Sequence, residues 1–298
     1  MTMKTRIHTL PAALLGLAFA LASCGDRLEA SGASAPADGR MTFDVRYPAT
    51  SSPTRVTGDH FDSSDPIGLY VTQNSTPLEV AGNYVNNTLL TWDGATWTPS
   101  QPVYWDGGTY DIFAYYPYTT PVNSVDNFPF TVADDQTLSG AFESSDFLFA
   151  SALSQSASDT PVALQFRHVM SRLQVRLIRG EDFEGDFPDE AEVYIHGTVP
   201  TATIDLSVGI ATKYNYGTTH TLRAKPLGSH EYAAIVVPQR LNSRQPFIEV
   251  VMKGVSYLVE SSFLFKPGIQ HTVSITIEKN PEQVKIDIGG EIEDWEEA

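Results

Sequence analysis

The sequence predicts an all-β protein arranged as two sandwiches, and three observations carry that expectation. Apolar and polar residues alternate with period two over segments that rarely exceed eight residues. Pro and Gly recur between those segments, and no run of about 12 residues shows capped 3.6-residue periodicity. A chain of 298 residues, 42% hydrophobic and 11% aromatic, has the length and the apolar material for two cores. The polar stretch SQSASDTP at 154–161 supplies a break, so the first sandwich is expected over 41–158 and the second over 159–298.

Before the first strand comes a processing segment. Lys4 and Arg6 form a basic start, the run from Leu10 to Ala22 is apolar but short for a bilayer span, and Leu21-Ala22-Ser23-Cys24 follows. Residues 1–23 therefore read as a signal peptide. LASC resembles the bacterial lipobox, in which cleavage between Ser23 and Cys24 leaves the cysteine as the first mature residue, bearing acyl chains. Cys24 is the single cysteine of the chain, which also excludes disulfide scaffolds, Cys-based zinc sites and CxxC redox chemistry. Several acyl chains on one residue exceed what stable anchoring needs. Residues 24–40 then form a tether, because GDRLEASGASAPADGR is too small and polar to pack a core. Asp26 and Glu29 resemble signals that send lipoproteins to the outer face of the outer membrane.

The strand pattern then runs in order through Met41–Tyr47, Ile67–Thr72, Tyr110–Tyr116, Val162–His168, Leu173–Arg179, Ala191–His196, Thr203–Leu206, Tyr232–Val237, Phe247–Met252, Val255–Glu260, Val273–Glu278 and Val284–Ile288. In LLTWDGATWTP, Asp93-Gly94 predicts a hairpin with a type I′ turn, which needs positive φ at both central residues. Tyr110, Ile112, Ala114 and Tyr116 share one strand face while Phe113 and Tyr115 share the other, the mark of a strand packed on both sides.

Composition narrows function. Nineteen Lys plus Arg against 36 Asp plus Glu give a net charge of −17, which disfavours nucleic-acid binding and electrostatic docking to anionic membranes. His60, His168, His196, His220, His230 and His271 fall in no HxH or HExxH spacing, and GxSxG, phosphate-loop and dinucleotide patterns are absent. His168 alternates with Phe166 and reads as a hydrogen-bonded structural histidine. The acidic run EDFEGDFPDE at 181–190 lacks the ordered spacing of calcium loops and reads as a solvated connection. No enzyme, metal site or cofactor is expected. The aromatics Tyr104, Trp105, Tyr110, Tyr115, Tyr116 and Tyr118 admit a second reading, a row that stacks on sugar rings.

Several segments, taken together and in order, carry a resemblance: TRVTG (54–58), DPIGLYV (65–71), PVYWDGGTYDIFAYYPY (102–118), SDFLFA (145–150), VALQFRHVMSRLQVRL (162–177), AAIVVPQRL (233–241), FKPGIQHTVSITI (265–277) and the IEDW near the end. Behind a lipobox, this series resembles the fimbrillin-like (Mfa-like) family of surface lipoproteins, which contains type V pilus subunits.

The resemblance implies two tandem transthyretin-like β-sandwiches and assembly by strand exchange. A trypsin-like protease cuts after an Arg or Lys near the start of the first domain, the first strand leaves, and an extended segment of another subunit fills the groove. In this chain the candidate cleavage residue is Arg55, in the loop YPATSSPTRVTGD, with Arg46 as runner-up inside the strand; cutting after Arg40 would sever only the tether. VKIDIGGEIEDWEEA at the C-terminus suits either a donor strand or the last strand of the second sandwich, and the latter points to a tip or accessory subunit. The partners implied are other pilin subunits, the protease and the outer membrane through the lipid anchor. The alternative is a non-polymerising surface lipoprotein that binds glycans or host proteins.

Overall fold

The computed structural model describes residues 38–48, 61, 65–242, 245–279 and 284–293. These residues are almost wholly β. The first half contains β1 (Phe43–Arg46), β2 (Ile67–Gln73), β3 (Val85–Trp92), β4 (Trp97–Pro99), β5 (Tyr110–Tyr116), β6 (Phe128–Thr131), the short helix α1 (Ala141–Ser144), β7 (Leu148–Gln155), β8 (Val162–Gln165) and β9 (Arg167–His168).

Eight of these strands form one sheet in the order β8-β1-β4-β3-β2-β5-β7-β9. Its two ends are successive pieces of a single stretch of chain, interrupted only by Phe166, so the sheet curls until its edges share that stretch. Period two then decides what fills it. Ile67, Leu69 and Val71 of β2 and Tyr110, Ile112 and Ala114 of β5 turn inward with Met41, Phe43, Leu90, Leu148, Val162 and Leu164 to form one apolar cluster. The intervening Tyr70, Phe113 and Tyr115 turn outward into a second, larger cluster. β5 is thus packed on both faces, as its sequence predicts.

Close packing demands a glycine at one point of this sheet. Gly68 pairs with Tyr115, and a Cβ at position 68 would stand 2.1 Å from Tyr115 Cε1. The ring covers the glycine while its hydroxyl donates to Asn87 Oδ1 at 2.8 Å. The hairpin between β3 and β4 exists, yet its turn differs from the expected type I′. Only Gly94 takes a left-handed φ, of 98°, and the Asp93 carboxylate accepts from the Ala95 and Thr96 amides at 2.8 and 2.7 Å. The aspartate side chain organises a four-residue loop, so its own backbone need not turn left-handed.

The remaining strands are β10 (Ser171–Arg179), β11 (Glu192–Thr198), β12 (Thr201–Asp205), β13 (Ile210–Lys213), β14 (His220–Arg223), β15 (Lys225–Gly228), β16 (Glu231–Val236), β17 (Arg240–Leu241), β18 (Pro246–Met252), β19 (Val255–Glu260), β20 (Phe263–Leu264), β21 (Ile269–Ile277) and β22 (Lys285–Glu293). They build a five-stranded sheet, β15-β16-β10-β21-β22, and a four-stranded sheet, β14-β11-β18-β19. Leu173, Val175, Val273 and Ile275 from the first meet Val193, Ile195, Ile248 and Val250 from the second in the larger cluster. Strand pairings tie the two stretches of sequence together: β8 and β9, past residue 158, pair with β1 and β7, and β6 pairs with β12.

Candidate assembly groove

The alternation in MTFDVRY places Met41 and Phe43, 1% and 6% exposed, inside the curled sheet, while the Asp44 and Arg46 side chains face solvent and bond each other. Backbone bonds fix this segment on both sides at its start. The Met41 amide donates to the Val103 carbonyl at 2.8 Å, and the Val162 amide donates to that of Thr42 at 2.8 Å. Further along the two sides differ. Toward β8 the parallel register runs from Phe43↔Val162 to Arg46↔Gln165, and the Phe166 amide closes it on the Arg46 carbonyl at 2.9 Å. Toward β4 the single register pair is Phe43↔Trp97.

Where β4 falls away, a cleft of about 960 Å³ opens along β1, walled by Val45, Tyr47, Phe61, Trp92, Trp97 and Pro99. Aromatic rings make its floor. Phe61 meets Tyr47, Trp97, Tyr116 and Phe166 edge to face, with centroids 5.1, 5.6, 5.8 and 5.1 Å away. Behind Tyr47 lies His168, 2% exposed, whose Nδ1 bonds the Asp146 carboxylate at 2.9 Å. Burial, and then the Asp146 charge, push the Tyr47 hydroxyl far above the usual tyrosine range. Tyr47 therefore stays neutral and serves as packing. The cleft thus combines an aromatic floor with the backbone of β1, whose register with β4 is confined to Phe43↔Trp97.

Of the residues singled out from sequence, Ser23, Cys24 and Arg55 lie outside the described residues. Arg46 is described. Its carbonyl is bonded into the β8 ladder, and the next carbonyl, of Tyr47, accepts from Gln165 Nε2 at 3.0 Å. A protease needs an extended, freed backbone, so Arg46 is a poor substrate while β1 is in place. Arg40 forms a lone bridge to Tyr104 just before the buried Met41. Sequence reasoning missed Phe61 and Trp97 as parts of the site, because nothing local marks two aromatics 36 positions apart as neighbours.

The other candidates resolve clearly. Within the aromatic segment, Tyr110 and Tyr115 are 0% and 1% exposed and Trp105 packs on Tyr110, so most of the row is core and cannot stack on a sugar. Side chains of the acidic run reach solvent, and Glu184 pairs with Lys279 at 2.6 Å. Among the described residues no cluster of three His, Cys, Asp or Glu is set to hold a metal. β22 runs antiparallel to β21 as the edge of the five-stranded sheet, with Val284 and Ile286 packed on the core and Ile288 49% exposed.

The fold is shared with solved structures at low sequence identity. A candidate cell adhesion protein from Bacteroides uniformis matches with a TM-score of 0.66 at 21% identity, covering 86% of this chain and 99% of its own. A fimbrial protein from Bacteroides vulgatus matches at 0.53 and 13%, covering 85% and 99%. The tip fimbrial protein Mfa3 from Porphyromonas gingivalis, with C-terminal truncation, matches at 0.50 and 9%, covering 78% and 94%. No curated protein matches significantly. The family model described as fimbrillin-like matches residues 54–295, which is most of the sequence, and the chain belongs to the fimbrillin-like family.

Proposed function

We propose that this chain is a surface pilus subunit that is exported as a lipoprotein through Cys24 and assembled by strand exchange after proteolysis at Arg55. Family membership supports a fimbrial role. The observation that carries the mechanism is the asymmetric hold on β1, with a four-residue parallel ladder on one edge and one pair beside an open cleft on the other. Cleavage after Arg55 frees residues 24–55, β1 among them, and leaves β8 with an unpaired edge and the Met41 and Phe43 pockets empty. An incoming strand restores the ladder and the apolar contacts together, each large side chain contributing about 1.5–3 kcal/mol if fully buried. Uncut, β1 covers an edge that would otherwise pair at random.

The pairing of β22 with β21 favours a tip or accessory position, since a C-terminal strand held in its own sheet is not free to donate. Limited trypsin digestion of the mature chain, followed by N-terminal sequencing and sizing, tests the proposal. A new terminus at Val56 accompanied by association with donor subunits is expected. A terminus only at Met41 with a persistent monomer would point instead to a non-polymerising surface binder, and oligomers without cleavage would remove the protease from the mechanism.

A further inference from the structure

A second cleft, of about 530 Å³, opens far along the sequence from the groove, where the turn after β13 faces the chain following β6. Two tyrosines stand at it in unusual exposure. Tyr216 is 88% exposed and Tyr214 47%, with ring centroids 5.9 Å apart at 68°. Leaving a tyrosine ring almost bare forgoes the stabilisation that burial gives, and backbone bonds hold the turn that carries it. The Tyr214 amide donates to the Thr201 carbonyl at 2.9 Å, and the Gly217 amide donates to the Tyr214 carbonyl at 3.1 Å. Gly217 lies directly on the floor beneath: a Cβ there would stand 2.5 Å from Val199 Cγ1 and 2.9 Å from Thr201 Oγ1. The backbone at Gly217 is thereby packed closely on Val199 and Thr201.

Opposite the rings is a polar wall. His220 Nδ1–H donates to Asp134 Oδ2 at 2.8 Å, and His220 Nε2 lies 3.0 Å from Thr218 Oγ1. This leaves the other oxygen of the exposed Asp134 carboxylate with no partner among the described residues. An aromatic face beside an open carboxylate and a hydroxyl suits a sugar ring. A pyranose has an apolar C–H face that stacks on an electron-rich ring, and a rim of hydroxyls that donate to a carboxylate. The net charge of −17 and Asp134 itself repel an acidic sugar.

We propose that this cleft binds a neutral pyranose unit of a glycan, with Tyr216 as stacking platform, Tyr214 as flanking wall and Asp134 as hydroxyl acceptor. The backbone bonds of the turn reduce the ordering that binding requires of the main chain there. The site is separate from the assembly groove and uses the uncut monomer, so its failure would leave the assembly proposal standing.

Saturation-transfer NMR of the full mature chain against neutral oligosaccharides of glucose, galactose and mannose, together with sialylated counterparts, tests it. At least one neutral member should receive saturation on its ring protons. Tyr216→Ala and Asp134→Asn should each weaken that binding ten-fold or more. Because Tyr216 is almost fully exposed, its removal leaves the fold intact, which circular dichroism verifies. The proposal is overturned if no neutral sugar binds, if Tyr216→Ala binds like the wild type, or if the sialylated members bind as well as the neutral ones.

Discussion

Single residues in this molecule act mostly through close packing and short polar ladders. On the outer face of the β14-β11-β18-β19 sheet, Thr221, His196, Glu249 and Ser256 bond in series across four strands: His196 Nδ1 to Thr221 Oγ1 at 2.9 Å, Nε2 to Glu249 Oε2 at 3.0 Å, and the Ser256 hydroxyl to Glu249 Oε1 at 2.5 Å. The Ser256 hydrogen bond, aided by His196, lowers the Glu249 pKa in the folded state. A depressed carboxylate pKa contributes stability that is present above the unfolded value and lost as pH falls through the folded one. Glu249→Gln should therefore lower stability near neutral pH by about 1 kcal/mol or less, given partial exposure, and the gap to wild type should close below about pH 4. Urea unfolding at pH 3 and pH 7 measures both; an unchanged gap would show that Glu249 contributes by packing alone. Gly68→Ala should cost more, about 1–3 kcal/mol, because the new methyl displaces the Tyr115 ring from its bond to Asn87. Pairing Gly68→Ala with Tyr115→Ala should cost less than the sum of the two single changes, since they share one contact.

At the scale of the element, β1 is the piece whose attachment matters. Met41 and Phe43 anchor it from below, and the amides of Val162 and Phe166 report on it from β8. Phe43→Ala should speed hydrogen exchange at those two amides while leaving the interior of β10, such as Leu173, protected. Equal acceleration in both places would mean that β1 opens only when the whole molecule unfolds. This strand was legible in the sequence, because four alternating residues ahead of a Pro-rich loop carry their own signal. So was β5, where apolar residues at both parities announced burial on both faces. β6 was not: Pro129 sits in its middle and is tolerated because β6 is an edge, a fact that depends on β12 arriving from some seventy residues later. β7, LFASALSQ, packs three consecutive residues and then emerges, so no single period describes it. The groove's floor and the Tyr214–Tyr216 pair were equally hidden, since exposure and the meeting of Phe61 with Trp97 are set by tertiary structure alone.

At the scale of the whole molecule, charge sets the terms on which subunits meet. Of the 19 basic residues, Lys4 and Arg6 lie in the segment expected to be removed, and the mature chain is more acidic than the precursor. Anchoring through Cys24, if it follows the lipobox pattern, needs no basic patch. Cys24→Ala should abolish labelling by an alkyne fatty acid and move the protein from the membrane to the soluble fraction, and unchanged labelling would refute the anchor. With β22 held in its own sheet, the donor strand comes from elsewhere. A synthetic peptide of residues 284–298, with one Lys against six Asp plus Glu, is a donor of the same sign as the cut subunit, so repulsion opposes its encounter with the β8 edge. Screening shortens that repulsion from a Debye length of about 30 Å at 0.01 M salt to about 8 Å at 0.15 M. Binding of that peptide to the trypsin-cut subunit should accordingly quicken as salt is raised over that range and then level off, while the dissociation rate, governed by buried apolar contacts and the ladder, should change little. Fluorescence anisotropy of the labelled peptide at graded ionic strength measures the first, and dilution of the preformed complex measures the second. Association that slows with salt would mean that complementary charge, rather than the apolar groove, brings donor and subunit together.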